Sequence, residues 1–240
     1  MEDRVTGSKQ INRMFSKIAE NYDKVNRIIS LGADMGWRKE AARECMLSPN
    51  KLHVLDVATG TGDLAIAIVD EAKARRKRAT VVGLDFNHDM LRIAKRKIER
   101  RGLKNIELVT GDALSLQLKG ESFDVVTSGF ALRNFDDLNQ FVSESFRVLV
   151  PGGKIVYLDV AKPSNAFDSV FKFYYQTVIP MIGAKYNKDA YIHLVSSMMK
   201  FDKRALVVMA RNAGFSRVKI RNLTFGAAFL LTGEKPKRKR

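Results

Sequence analysis

A glycine turn flanked by carboxylates is the stretch of the sequence with the clearest chemical use. Residues 54–65 read Val-Leu-Asp-Val-Ala-Thr-Gly-Thr-Gly-Asp-Leu-Ala, which places Asp56 before the glycines and Asp63 after them. Glycines such as Gly60 and Gly62, between a buried strand and a helix, let a nucleotide approach the backbone closely. The pattern therefore predicts a nucleotide-cofactor site at one edge of a parallel sheet.

Two later acids fit the same site. Asp85 ends the second apolar run, about where a ribose-binding acid is expected, and Phe86 follows it within the proposed site. Asp112 follows the third apolar run, where an acid can accept a hydrogen bond from an adenine amino group. The small Ala113 next to it leaves room for the ring. The alternative for Asp112 is a simple turn residue after Gly111.

Charge separates the cofactors that share such a turn. In dinucleotide binding a pyrophosphate lies on the helix N-terminus, and Asp56 and Asp63 would repel it. The sulfonium and ammonium groups of S-adenosylmethionine would instead be attracted. We therefore predict S-adenosylmethionine as the cofactor, and we disfavour an NAD-dependent oxidoreductase. Asp63 could alternatively serve only as a helix-capping acid.

The order of apolar runs predicts the frame that positions these residues. Short apolar runs alternate with amphipathic stretches, which favours an α/β fold with a doubly wound, mostly parallel, Rossmann-like sheet. Five parallel strands and a closing hairpin give seven strands, and Pro151-Gly152-Gly153 predicts a turn before the fifth. The strands are expected at 53–57, 80–84, 106–109, 123–128, 154–160, 216–223 and 226–232, and the helices at 63–75, 88–101, 137–149 and 203–213.

Two regions lie outside this alternation. Residues 1–48, helical over 9–48, are expected to form an N-terminal cap that could cover the cofactor site. Residues 49–240 form the cofactor domain, with an insertion at about 164–200 before the last strands. We expect one structural domain overall, because 240 residues suit one α/β domain with additions.

Composition limits the setting in which the protein works. A single cysteine, Cys45, excludes an intrachain disulfide and favours a cytoplasmic location. No apolar run reaches the ~18 residues of a transmembrane helix, and residues 1–4 lack the apolar core of a secretory signal. The net charge of +16 includes basic runs at 73–78, 92–101 and 235–240. These runs could attract nucleic acid or an anionic membrane face, or could be only a solvated surface.

Several strings along the chain are typical of one enzyme family. The strings lie at 15–38, 129–134 (Gly-Phe-Ala-Leu-Arg-Asn), 147–154 (Arg-Val-Leu-x-Pro-Gly-Gly-Lys), 213–215 and 222–226. Through these strings the chain resembles the class I S-adenosylmethionine-dependent methyltransferases and, more closely, the ubiquinone/menaquinone biosynthesis C-methyltransferase family. The resemblance covers about residues 11–235 and implies that the cofactor domain is a methyltransferase domain.

Three positions depart from the family pattern. Asp34 stands where the N-terminal signature often has histidine, and residues 159–161 read Asp-Val-Ala where glutamate-x-serine is usual. Gly129 stands where some members have a cofactor-contacting serine, and we retain it as a candidate cofactor contact. These departures concern the choice of quinone and the contacts to the methionine end of the cofactor.

The resemblance implies both the cofactor contacts and the reaction. S-adenosylmethionine should contact Thr61 in the loop, Asp85 at the ribose, and Asp112 and Ala113 at the adenine. The reaction implied is methylation of a ring carbon on a polyprenylated quinol. The substrate is a demethylmenaquinol in menaquinone synthesis, or a methoxy-polyprenyl-benzoquinol in ubiquinone synthesis. Because the sulfonium provides the electrophile, no metal is expected.

Four residues are candidates for the chemistry of methyl transfer. A ring carbon becomes nucleophilic when the adjacent phenol loses its proton, which requires a base or an ordered water. Arg133 could stabilise the phenolate, and Asn134 could orient the ring oxygen. Tyr22 could close over the cofactor or substrate, and Asp159 could be the base. The alternatives are a structural salt bridge for Arg133, a packed core tyrosine for Tyr22 and a strand-end acid for Asp159.

The sequence leaves several partners open. The aromatic segment 167–182 could form a prenyl channel or lid, or could only pack in the core. The basic runs could hold the protein at an anionic membrane, where the quinol substrate resides. A methyltransferase acting on RNA or another small molecule, and a non-catalytic cofactor-binding protein, are the competing interpretations. Nucleic acid is not an expected partner, because no RNA-binding module is recognisable. Assembly into a homo-oligomer is left open.

Overall fold

A seven-stranded sheet forms the centre of the protein. The computed structural model describes residues 2–46, 50–162, 173–179, 181 and 188–238. The strands are β1 Lys51–Val57, β2 Arg78–Asp85, β3 Ile106–Thr110, β4 Phe123–Gly129, β5 Leu149–Val160, β6 Ser216–Leu223 and β7 Ala228–Glu234. They lie in the order β3-β2-β1-β4-β5-β7-β6. This confirms the predicted doubly wound, mostly parallel α/β sheet.

Seven α-helices surround the sheet within the described ranges. Three of them begin at a side chain that accepts a hydrogen bond from the first helical turn, as an N-cap does. These caps are Asn87, Asp137 and Asp202. The helices are α1 Glu2–Ile29, α2 Ala33–Cys45, α3 Asp63–Ala74, α4 His88–Arg100, α5 Leu138–Val148, α6 Lys188–Lys200 and α7 Lys203–Asn212.

Strands β1 to β5 are parallel, and their carboxyl ends meet at one edge of the sheet. The chain order reverses between β1 and β4, since β2 and β3 extend to one side and β5 to the other. Such a switch point opens a crevice at the carboxyl edge, where ligands of this fold class bind. Asp56, Asp85, Gly129 and Asp159 all lie at or beside these strand ends, so the fold gathers them at one edge.

The end of the sheet is an antiparallel hairpin, as predicted. Strand β7 lies between β5 and β6 and is antiparallel to both. The prediction of a turn at residues 151–153, before the fifth strand, is wrong, because these residues lie within β5. Strand β5 already begins at Leu149, and the glycines form an irregularity in the β4–β5 register. Gly152 donates to the Lys235 carbonyl at 2.9 Å, so β-type pairing to the chain end continues through the irregularity.

The N-terminal region consists of two helices rather than one continuous stretch. Gly32, at φ +79°, ends the turn between α1 and α2. Helix α1 packs against α4 and α6, with Ile18 and Val25 buried beside Met198. Helix α2 packs against α3 and β5. Both helices reach the carboxyl edge of the sheet, where Asp23 of α1 and Arg38 of α2 lie beside the glycine turn.

Part of the predicted insertion is described. A π-helical turn at Tyr174–Val178 and helix α6 follow β5. The rest of the aromatic segment 167–182, including Phe167 and Phe171, lies outside the described residues. No helix in the described ranges is both long and apolar enough to cross a bilayer.

Candidate active site

The glycine turn between β1 and α3 is shaped for a ligand. Gly60 and Gly62 have φ values of +57° and +79°, in the left-handed region that favours glycine. A Cβ on Gly62 would lie 3.2 Å from the Ala94 Cβ, which keeps the turn close to α4. A Cβ on Gly60 would meet no atom within 4 Å. Gly60 therefore faces open space at the carboxyl edge of the sheet.

Asp56 lies under this turn and is almost fully buried. Its carboxylate accepts hydrogen bonds from the hydroxyls of Thr59 at 2.6 Å and Thr127 at 2.8 Å. Burial raises the pKa of Asp56 to about 6, although both hydroxyls oppose the shift. Asp56 therefore joins the turn to β4 and adds negative potential beneath the site.

The variant Asp56→Asn tests this burial through pH. The folded pKa of about 6 is above the unfolded value of about 3.9, so protonation favours the folded state. The stability that Asp56 contributes is fully present below about pH 4 and is lost as pH rises through about 6. Relative to Asp56→Asn, the wild type should lose about 1–2 kcal/mol of unfolding free energy between pH 5 and 7.5. Urea unfolding at both pH values measures it, and a pH-independent difference would contradict the raised pKa.

Asp85, the predicted ribose contact, is the last residue of β2. Its two carboxylate oxygens accept hydrogen bonds from the backbone N–H groups of Gly60 and Asn87, each at 2.8 Å. Burial raises its pKa. The Gly111 N–H donates to the Asp85 carbonyl at 3.1 Å, which brings the end of β3 beside the same site.

The predicted adenine contacts follow Gly111. Asp112 is exposed, and its carboxylate accepts a hydrogen bond from the Leu114 N–H at 2.8 Å. A carboxylate that accepts from the N–H two residues later is typical of a turn, which was the alternative interpretation of Asp112. The other carboxylate oxygen of Asp112 does not take part in this bond. Ala113 is buried in the core between the sheet and helices α5 and α7. The two residues are thus next to Asp85, but Ala113 also has a packing role.

Asp63 and Thr61 contact charged partners from other helices. Lys97 of α4 forms an ion pair with Asp63 and lies 2.7 Å from Asp23 of α1. The Thr61 hydroxyl donates to Asp23 at 2.6 Å. Burial alone would raise the pKa of Asp63, but the charges of Lys97, Arg38 and Arg27, together with the hydrogen bond from Lys97, lower it. A cofactor cation would share the Asp63 carboxylate with Lys97, so Asp63 has a structural role besides any binding role.

Two cavities adjoin at this edge of the sheet. The first, here called the cofactor cavity, opens above Gly60 and Asp85 and also contacts Phe86, Gly129 and Asn134. Apolar side chains from α1 and α4 complete it, namely Ile11, Phe15 and Met90.

The second cavity lies between α1, α2 and α6. Its apolar walls include Ile29, Trp37, Phe130, Val160, Ile179, Leu194 and Met198, and its polar groups include Arg38 and Arg133. Tyr22 lines both cavities, and burial raises its pKa. The two cavities are therefore in contact across Tyr22.

Arg133 and Asp159 form a buried ion pair beside the second cavity. The Asp159 carboxylate also accepts a hydrogen bond from the Val160 N–H at 2.7 Å. Arg133 Nε and the second oxygen of Asp159 are buried without a hydrogen-bond partner among the described residues. The pair therefore combines the structural salt bridge of the alternative interpretation with two buried polar atoms that the described residues leave without a partner.

The sequence did not single out two polar groups at this site. Arg38 is buried, pairs with Asp34 and lies 4.8 Å from the centre of the Phe130 ring. His193 Nε2 lies 3.2 Å from Asn134 Oδ1, and burial lowers the pKa of His193. Arg38 could have been found from the sequence, because Trp37-Arg38 ends the family string at 15–38. His193 comes from the insertion, where no periodic pattern marked it.

These residues fit an adenosyl cofactor. The space beside Gly60 is open and could hold a ligand, and a side chain at this position would occupy that space. A buried acceptor at Asp85 suits a ribose diol, and the apolar wall with Phe86 and Met90 suits a purine. The fit rests on this chain's donors, acceptors and shape.

Comparison with known proteins identifies the family. Residues 3–235 match the ubiE/COQ5 methyltransferase family. A demethylmenaquinone methyltransferase of Deinococcus radiodurans is 43% identical over 97% of this chain and 95% of its own length. The protein of that name from Thermus thermophilus is 43% identical over 93% of this chain and 100% of its own length.

Solved structures of low identity share the fold. A SAM-dependent methyltransferase from Aquifex aeolicus superposes with a TM-score of 0.63 at 17% identity, covering 89% of this chain and 97% of that one. The [4+2]-cyclase SpnF superposes with a TM-score of 0.69 at 16% identity, covering 96% of each chain. A cyclase among these matches illustrates that the fold alone does not decide the reaction. The family match and the 43% identity confirm the resemblance read from the strings, and the chain belongs to the ubiE/COQ5 methyltransferase family.

Proposed function

We propose that this protein uses S-adenosylmethionine to methylate a ring carbon of a demethylmenaquinol, giving a menaquinol. The names of the similar proteins from Deinococcus radiodurans and Thermus thermophilus support the menaquinone precursor. A methoxy-polyprenyl-benzoquinol of ubiquinone synthesis is the second candidate substrate, because the chain resembles a family that serves both ubiquinone and menaquinone synthesis. The observation that carries the proposal is the contact between the cofactor cavity and an apolar second cavity that contains two guanidinium groups.

The cofactor cavity would hold S-adenosylmethionine. Asp85 would accept the ribose hydroxyls, and Phe86 would pack against the purine, near Asp112 and Ala113. Thr61, Gly62 and Asp63 would lie at the methionine end with Gly129. When bound, the sulfonium provides an electrophilic methyl group. Asp56 and Asp63 favour a cationic ligand electrostatically.

The second cavity would hold the quinol ring and the start of its tail. Its apolar walls from α1, α2 and α6 suit a ring bearing isoprene units. Arg38 and Arg133 would stabilise the phenolate, since a nearby cation favours the deprotonated form of a phenol with a pKa of about 10. Loss of the phenolic proton directs electron density to the neighbouring ring carbon.

The polar groups around Arg133 would position the substrate. Asp159 holds the guanidinium in place, which leaves Nε able to donate to the phenolate oxygen. Asn134, held by His193 at 3.2 Å, would orient the same oxygen. Tyr22 would close the junction between the cavities and exclude water. The phenolic proton would pass to Asp159 or to a water that Arg133 orders. Once the ring carbon carries the methyl group, it would lose its own hydrogen as a proton and the oxygen would regain one, which restores the quinol.

A substrate panel tests the proposal. Purified protein is incubated with labelled S-adenosylmethionine and, separately, a demethylmenaquinol, a methoxy-polyprenyl-benzoquinol and RNA. We expect turnover on the demethylmenaquinol to exceed that on RNA by orders of magnitude. Preferential transfer to RNA, or to neither quinol, would overturn the proposal. Preference for the benzoquinol would move the substrate to the ubiquinone precursor.

We further propose that the protein acts in the cytoplasm at the membrane that contains its substrate. The basic runs contribute less than their number suggests, because several of these charges are paired within the chain. Lys235 donates to the Phe146 and Leu149 carbonyls, and Arg238 lies 2.7 Å from Glu121. In α4, Arg96 lies 2.6 Å from Glu20. A more local surface must therefore orient the protein on the bilayer.

A further inference from the structure

We propose that the exposed apolar side chains Ile28, Leu31, Met35 and Phe225, here called the mouth surface, insert into an anionic lipid bilayer. The link between this surface and the substrate rests on the function proposed above, because a polyprenylated quinol resides in the bilayer. The surface itself is argued from exposure, backbone geometry and charge, and it can be tested without the reaction.

The mouth surface is the outer side of the turn between α1 and α2. Leu31 is 84% exposed, Met35 is 59% exposed and Ile28 is 39% exposed. The inner side of the same turn, with Ile29, Ser30 and Asp34, lines the second cavity. A ligand that passes from solvent or lipid toward Arg133 on this side therefore passes beside these apolar side chains.

Phe225 lies beside α2, in the short turn Thr224–Gly226 that follows β6. Thr224 accepts a hydrogen bond from the Trp37 indole of α2 at 2.8 Å. Arg221, near the end of β6, lies 3.1 Å from Glu40 of the same helix. These contacts hold the turn against α2, and Phe225, which is 65% exposed, projects from it.

The backbone holds two of these side chains outward at a cost. Leu31 and Phe225 have φ values of +52° and +54°, where a residue with a Cβ is strained. Leu31 is 84% exposed, so burial of its side chain offsets little of that strain in the free protein. Strain combined with exposed apolar area is typical of an interaction surface.

Charge selects an anionic bilayer as the partner. Lys24 precedes Ile28 by four residues in α1, and Lys39 follows Met35 by four in α2, so each lysine shares a helix face with one apolar side chain. Both lysines are exposed. Apolar side chains flanked by lysines suit a bilayer surface with anionic headgroups. A second copy of this chain would instead bring like charges together, at a net charge of +16 on each copy.

Vesicle co-sedimentation of the full chain tests the mouth surface. The double variant L31E/M35E should reduce binding to phosphatidylglycerol vesicles at least tenfold, and phosphatidylcholine vesicles should bind the wild type weakly. Val208 of α7 is 55% exposed and is not part of the mouth surface, so V208E is the control for one carboxylate added elsewhere. V208E should bind nearly as the wild type does, and the single variants L31E and M35E, with the same added charge, should each bind more weakly than V208E. Thermal unfolding of all the variants checks that each is folded.

Turnover then links the surface to the substrate. L31E/M35E should retain wild-type turnover on a short-tailed, water-soluble demethylmenaquinol and lose it on a long-tailed one in vesicles. Wild-type vesicle binding by folded L31E/M35E, or equal losses in V208E, would overturn the proposal. The proposal would also be overturned if the wild type binds no vesicles and forms a dimer that L31E/M35E does not form. The surface would then be an interface between two copies of this chain. If the surface binds vesicles but no quinol is methylated, the surface stands and the proposed function fails.

Discussion

Replacing Arg133 with glutamine should lower turnover on a demethylmenaquinol by about 10²- to 10³-fold, because a positioned charge that stabilises developing negative charge contributes that much. Cofactor affinity should change little, since Arg133 lines the second cavity and not the cofactor cavity. Steady-state turnover and calorimetric titration with S-adenosylmethionine measure the two effects. The expected signature is therefore a loss of rate with cofactor binding retained.

The double variant R133Q/D159N separates this role from a structural one when it is compared with D159N alone, because Asp159 is itself a candidate base. Removing Arg133 alone leaves the buried Asp159 carboxylate without its ion-pair partner, which commonly costs about 3–5 kcal/mol of stability. The second substitution removes that uncompensated charge, so the double variant should regain most of the lost stability but not the turnover. Recovery of near-native turnover together with stability would show that Arg133 acts only as a salt bridge.

Replacing Asp85 with alanine should weaken S-adenosylmethionine binding by about 10²-fold or more. Each hydrogen bond to a charged group contributes about 1.5–3 kcal/mol, and the ribose would donate two of them to this carboxylate. Calorimetric titration measures the dissociation constant, and the unliganded thermal midpoint shows whether the loss of the Gly60 and Asn87 contacts unfolds the turn.

Asp112→Ala is the matched control for Asp85→Ala. Asp112 is exposed and close to the same site, so a single adenine contact there, at the low end of that energy range, should change affinity by about tenfold. Near-native affinity in a folded Asp85→Ala variant would remove Asp85 from the binding site. A larger loss at Asp112 than at Asp85 would mean that the cofactor lies differently across the strand ends.

The sheet was predictable because its strands are buried on both faces. Such strands read as continuous apolar runs, as at Val54–Val57 and 80–84, and parallel order then places Asp56 and Asp85 at one edge. The bounds of β5 were not predictable, since Pro151 and Gly152 usually end a strand. Here the irregular stretch pairs with the chain end near Lys235, a contact between residues far apart in sequence.

The residues around the cavities were only partly predictable. The family strings identified Arg133, Asn134 and Tyr22, but they gave no distances. The ion pair between Lys97 and Asp63 joins α4 to α3, and β2 separates these helices in the sequence. No local sequence pattern therefore predicts this ion pair. His193 likewise reaches Asn134 only through the packing of α6. Side chains that converge from distant elements require the fold before their roles can be assigned.

Transfer of a ¹³C-labelled methyl group from S-adenosylmethionine to a demethylmenaquinol measures the proposed reaction directly. The labelled product, analysed by NMR and mass spectrometry, should carry a single new methyl group bonded to a ring carbon. The reaction should be strongly slowed in R133Q/D159N. A methyl group on a quinol oxygen, or no labelled quinol while S-adenosylmethionine binds normally, would contradict C-methylation at this site.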